Sequence, residues 1–223
     1  MRTILIMGMT LIVTLSQAEP LLLEGNLDGW RQANLKGKTA FDPIMDIEQG
    51  VILRAESVDA ASLLKRNQTI SMNKTPILRW QWTVEELPYT FALTEDGLEQ
   101  KVRDFEEQSA NADYAVRLIV GVNPVFGDER SIHYVWSAHY PAGTEWKADD
   151  NTHVMVVNGL GDTTMKWHTI ARHVQKDWAE AFGESLDELD YVAIMTDSDE
   201  IRGHAIGYYG DIQAIAAKAI AAQ

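Results

Sequence analysis

The chain has 223 residues, no cysteine and a formal net charge of −14. Without cysteine no disulfide supports the fold, so burial and hydrogen bonding must. The acidic balance, with no Lys/Arg cluster to offset it, sets the chain against phosphate backbones and anionic lipid, and nucleic acid is not an expected partner.

Residues 1–18, MRTILIMGMTLIVTLSQA, carry Arg2, an apolar run from Ile4 to Leu15, and the small residues Ser16 and Ala18. This is the order of a secretory signal peptide. The apolar run, about twelve residues, is shorter than the roughly 20 that a spanning helix needs. Cleavage after Ala18 removes one positive charge and leaves −15 on a single domain, residues 19–223, periplasmic or secreted. No later stretch is apolar enough to span a membrane, and the absence of cysteine rules out lipid attachment at one.

Beyond the leader the dominant period is two. Residues 77–84, ILRWQWTV, set Leu78, Trp80, Trp82 and Val84 on one face and Arg79, Gln81 and Thr83 on the other. Residues 114–122, YAVRLIVGV, repeat the pattern, with Arg117 and Ile119 opposite Val116, Leu118 and Val120. Such alternation predicts strands with one buried face. Similar runs lie at 51–56, 62–70, 132–138, 153–158, 167–174, 191–196 and 204–215, giving about nine strands punctuated by turn residues. Two stretches depart from it. Residues 93–113 read as an acidic helix or a loose excursion anchored by Val102 and Phe105. Residues 175–184 read as a short amphipathic helix stopped by Gly183. The pattern predicts an all-β fold, an antiparallel β-sandwich of jelly-roll type with one or two short helical insertions.

The blocks TPILRWQWTVEELP, DYAVRLIV, IHYVWS and VAIMTDSD…AIGYYGDI occur in an order and spacing that resemble a bacterial family of exported proteins, domain-of-unknown-function family 3047. The resemblance covers roughly residues 20–215 and implies an exported β-sandwich, with no catalytic residues to carry over. One departure is Ala112, where the family commonly has a second acid before the Asp-Tyr pair. At the level of fold, EGNLDGW (24–30) and YYGDIQAI (208–215) are similar to the opening and closing strands of jelly-roll carbohydrate-binding modules. That likeness implies a structural calcium held by Glu24 and Asp211.

The candidate sites follow from strand parity. Arg79 and Gln81 on one strand, and Asp113 and Arg117 on another, are expected to form a polar sheet face, with Trp136 and Tyr208 as aromatic partners. Planar polar groups matching vicinal hydroxyls, with a ring against the apolar sugar face, are the chemistry of saccharide recognition. Asp113 and Arg117, four apart on a strand, are expected to lie about 13–14 Å apart and not to pair. Core packing is the competing reading for Trp80, Trp82 and Trp136. For Arg79 and Arg117 it is a structural ion pair. The cluster Asp197, Asp199, Glu200 is expected at an exposed hairpin tip; as an EF-hand it fails, because Ile201 and Arg202 fall where ligand and glycine belong. Asp211, midway along a strand, needs a partner, with an arginine expected ahead of calcium.

The leading expectation is a non-catalytic exported β-sandwich that binds a carbohydrate or other small polar ligand. One alternative is a glycan-cleaving enzyme using an Arg79, Gln81, His133 and Tyr134 cluster or a carboxylate pair. The other is an envelope interaction module acting through residues 93–113.

Overall fold

The computed structural model describes residues 18–93, 99–102 and 112–217. Among these, two seven-stranded sheets face each other. The first sheet runs β12 (His168–His173), β6 (Ile77–Leu93), β14 (His204–Ile215), β4 (Gly50–Val58) and β3 (Ala40–Asp46), with β1 (Ala18–Leu22) paired to β14 and β7 (Glu99–Val102) to β6. The second runs β10 (Glu145–Lys147), β11 (Thr152–Asn158), β9 (Arg130–Trp136), β8 (Arg117–Val122), β13 (Glu188–Asp197), β5 (Ala61–Ser71) and β2 (Trp30–Lys36). One helix, α1 (Val174–Phe182), follows β12. The molecule is an all-β sandwich of jelly-roll type. The expected leader lies almost wholly outside the described residues.

Alternation produces the sandwich directly. Leu78, Trp80, Trp82 and Val84 of β6 meet Leu118, Val120, Ile132, Tyr134 and Trp136 of the opposite sheet in one core. Trp80 and Trp82 pack edge to face, with ring centroids 5.4 Å apart. A buried indole needs a partner for its N–H, and Trp82 donates to Asn158 Oδ1 at 2.8 Å. Helix α1 closes one end of the core through Val174 and Trp178. Its buried Asp177 accepts from the Tyr134 hydroxyl and from both Nε and Nη2 of Arg172. Gly183 ends the helix in the left-handed region, as its position predicts.

Four details differ from the sequence reading. The pairing of β11 with β9 is parallel, so the second sheet is mixed. Strands β2 and β3 escaped notice because they are edges exposed on much of both faces, where no alternation is required. Residues Glu99–Val102 of the acidic excursion form a strand on β6, not a helix. Regular structure in the 114–122 run begins only at Arg117, because residues 112–116 leave the strand path.

That departure brings the sheets close. Gly207 of β14 lies so near residues 115 and 116 that a Cβ on it would sit 2.3 Å from the Ala115 carbonyl oxygen and 2.3 Å from Val116 Cγ1. Backbone cannot yield as a side-chain tip can. Gly207→Ala should therefore cost about 1–3 kcal/mol of stability; a urea midpoint unchanged from the native chain would contradict this packing.

Candidate functional site

The outer face of the second sheet, turned away from the sandwich core, carries a groove of about 540 Å³. Registry builds its floor in rows. Leu63, Met195 and Arg117 lie side by side across β5, β13 and β8. The next row holds Lys65, Ala193, Ile119 and His133. The one after it sets Tyr191 beside Gly121 and Ser131. Ala61, Ile119, Tyr191, Ala193 and Met195 pack as a small apolar cluster beneath the groove.

Gly121 shapes one end. A Cβ there would lie 2.3 Å from the Tyr191 hydroxyl, so only glycine lets the ring cross β8. The Lys65 ammonium covers the ring, 3.5 Å from its centroid, and reaches Glu129 at 3.3 Å. Burial and the adjacent Glu129 carboxylate push the Tyr191 phenol well above its ordinary range, while the Ser131 hydroxyl works the other way. Ser131 Oγ lies 3.1 Å from His133 Nε2. Burial first, and then the Arg117 charge, lower His133 to about 3, so its imidazole is neutral.

At the other end is a buried charge cluster. Arg117 Nη2 donates to Asp197 Oδ2 at 2.7 Å and to the Ala112 carbonyl at 2.6 Å. The Tyr114 N–H donates to Asp197 Oδ1. Asp113 accepts from the N–H groups of Glu200 and Ile201, at 3.3 and 2.8 Å. Desolvation raises Asp197 to about 7 and Asp113 to about 6, and neighbouring Asp199 adds to both. Asp197 is 1% exposed and Asp113 4%. The expectation of an exposed hairpin tip is overturned for Asp197, because the chain after β13 folds back onto Asp113. The expected separation of Asp113 and Arg117 also fails: residues 112–116 are not extended, and Asp113 comes within electrostatic reach of the guanidinium.

Asp113, Asp197 and Asp199 each bring a carboxylate oxygen within 4.8 Å of the others. This set does not suit a divalent ion. Asp113 and Asp197 have both oxygens engaged by backbone N–H groups or by Arg117, and the guanidinium already supplies the cation. Asp211 takes the Glu24 backbone N–H at 3.1 Å, so among the described residues the strand acid is served by a backbone donor and not by an arginine side chain. That contact joins the two residues expected to hold calcium, but through the Glu24 backbone and not its carboxylate.

The remaining expected residues do not join the groove. Arg79 and Gln81 lie on the first sheet with Asp211, around a hollow of only about 50 Å³. Tyr208 is on the same sheet and hydrogen-bonds Glu85. Trp136 is 1% exposed, its ring edge-on to His168 at 4.9 Å, and it has no face for a ligand. The single polar face expected from parity is therefore two faces on opposite sheets. Arg79, Gln81, His133 and Tyr134 likewise do not converge, Tyr134 being in the core. Glu129, Ser131, Ile119 and Tyr191 were not anticipated. Extending the His133 parity two residues back reaches Ser131, but which strands lie beside it is decided by pairing alone.

Two consequences are measurable. Because Asp113 and Asp197 titrate higher in the fold than in the unfolded chain, their contribution is complete below about pH 4 and lost as pH rises through about 6 and 7. Asp113→Asn should flatten the fall in unfolding free energy between about pH 4 and 6, and an unchanged slope there would contradict the assignment. Arg117→Ala leaves buried acids without their cation and should cost about 3–5 kcal/mol, read by denaturant titration; a cost below about 1 kcal/mol would fit an exposed pair instead.

No curated protein matches the chain. Among solved structures it is similar to a cellulase derived from Cel12A of Rhodothermus marinus, with TM-score 0.44 and 14% identity over 90% of this chain and 98% of that one. It is also similar to the enzymatically active domain of bacteriophage CBA120 tailspike protein 4, with TM-score 0.41 and 11% identity over 86% of this chain; the match spans 20% of that chain. A third likeness is to TmCBM61 in complex with β-1,4-galactotriose, with TM-score 0.36 and 10% identity over 84% of this chain and 88% of that one. A family model matches residues 28–213, and the chain belongs to the family described as protein of unknown function DUF3047.

Proposed function

We propose that this chain is an exported β-sandwich that binds a saccharide or similar small polar, uncharged ligand in the groove on the outer face of its second sheet. The observation that carries the reading is the groove itself. About 540 Å³ is within the range of small-molecule sites, and its floor mixes an apolar strip with a few fixed polar groups. Leu63, Ile119 and Met195 offer apolar contact, while Ser131, His133, Asp199 and Glu200 offer hydrogen-bonding groups.

Charge narrows the ligand. The lining includes Glu129, Asp197, Asp199 and Glu200 against Arg117, which is already paired with Asp197. A polyanion, uronate polymers included, would meet an acidic surface on an acidic chain. Export rests on the charged, apolar, small-residue order of the first 18 residues.

Calorimetry of the mature chain against a panel of neutral oligosaccharides should find a ligand. Leu63→Trp, which fills the groove from a partly exposed position of its floor, should weaken that binding at least about ten-fold, or 1.4 kcal/mol, without changing the fold. The proposal fails if no member of the panel binds, or if Leu63→Trp binds as well as the native chain.

A further inference from the structure

Among the described residues that line the groove, Tyr191 carries the one aromatic ring besides the His133 imidazole, yet it is only 3% exposed. Two contacts of different kinds hold it. At the sheet, the ring takes the space that a side chain on Gly121 would fill, against backbone that does not yield. Over its face stands the Lys65 ammonium, 3.5 Å from the centroid. Registry explains the approach. Lys65 lies on β5 in the row next to that of Tyr191, and its stem reaches across β13 toward the ring and Glu129.

The seat is rigid and the cover is not. Lysine has a long flexible stem, and both contacts that hold this ammonium are weak ones. One is a cation–π contact, the other an ion pair with Glu129 at 3.3 Å whose side chains are 22% and 47% exposed. Moving the ammonium aside extends the groove over an aromatic face and leaves its floor as it is. We infer that Tyr191 is the stacking residue of the groove and Lys65 its displaceable cap, so that the C–H face of a neutral pyranose takes the place of the ammonium; this rests on the groove being a saccharide site.

The consequence is selection for a sugar ring. A pyranose turns C–H groups to the phenol face, and its hydroxyls then stand beside Ser131, His133 and Glu129, which line the groove. An open-chain polyol offers the hydroxyls without the flat face. The displaced ammonium keeps Glu129 as its partner.

The cap can be read without any ligand. In ¹H–¹³C spectra of the mature chain the Lys65 ε-methylene, assigned from Lys65→Ala, should lie upfield of exposed lysines, because the Tyr191 ring current reaches it. A Lys65 signal among the exposed lysines overturns the inference and leaves the groove test with Leu63→Trp untouched. Calorimetry with the neutral oligosaccharide found by the panel tests the stacking. Lys65→Ala, which bares the ring, should bind it about three-fold tighter. Tyr191→Leu should weaken it at least about ten-fold, while Tyr191→Phe, which keeps the ring, should stay within about two-fold of the native chain. Should Tyr191→Leu fail to fold, the Lys65 signal decides, since saturating oligosaccharide should return it to the exposed range. No gain in Lys65→Ala, equal binding by Tyr191→Leu, or a Lys65 signal that saturation leaves in place overturns the inference while the groove stands as a site. A panel without any ligand removes both proposals together.

Discussion

The outer groove depends on one buried ion pair, Arg117 with Asp197. Two charges taken out of water need excellent geometry and further hydrogen bonds to be tolerated, and here the chain supplies them from several directions. The guanidinium also takes the Ala112 carbonyl, and Asp197 also takes the Tyr114 N–H. The Arg117 backbone N–H reaches across the sandwich to the Tyr209 hydroxyl of β14. That hydroxyl in turn contacts Thr196 and donates to the Met195 carbonyl of β13. One position thus couples the end of the groove to the packing of the two sheets.

Compression between the layers follows from the same region. Residues 112–116 leave the strand path, Gly207 admits their backbone, and the turn after β13 closes on Asp113 through two N–H groups. The acids here are costly as ions, which their raised titration reflects, yet they hold irregular backbone that water would otherwise have to satisfy. Such polar constructions are kept where a particular geometry is needed, and in this chain the geometry is one wall of a groove.

At its opposite end the groove is built around Tyr191, with the Lys65–Glu129 ion pair beside it. Gly121 gives the Tyr191 ring its place, Lys65 covers it, and the imidazole of His133 stays uncharged. The two ends differ in kind: one is a buried charge cluster, the other an aromatic ring seated on a glycine and covered by a partly exposed ion pair. Between them the apolar side chains of β5, β8 and β13 form the floor. A mixture of apolar contact and a few fixed polar groups is what recognition of a sugar ring requires.

Much of the architecture could be read from residue order alone. The alternations of β6, β8 and β14 specified a sandwich because side chains on a strand face opposite ways and one face must leave water. Gly183 marked the end of α1, and parity correctly set Arg117 and Ile119 on the face of their strand opposite Leu118 and Val120. Exposed edges such as β2 and β3 gave no such signal, since neither face is required to be apolar. The groove could not be read at all. Which strands become neighbours, and that Arg79 and Arg117 fall on opposite sheets, is decided by long-range pairing, and parity assigns a face without naming the sheet. The convergence of Asp113 with Arg117 came from a backbone departure that packing against Gly207 and β13 imposes, and no local pattern encodes it.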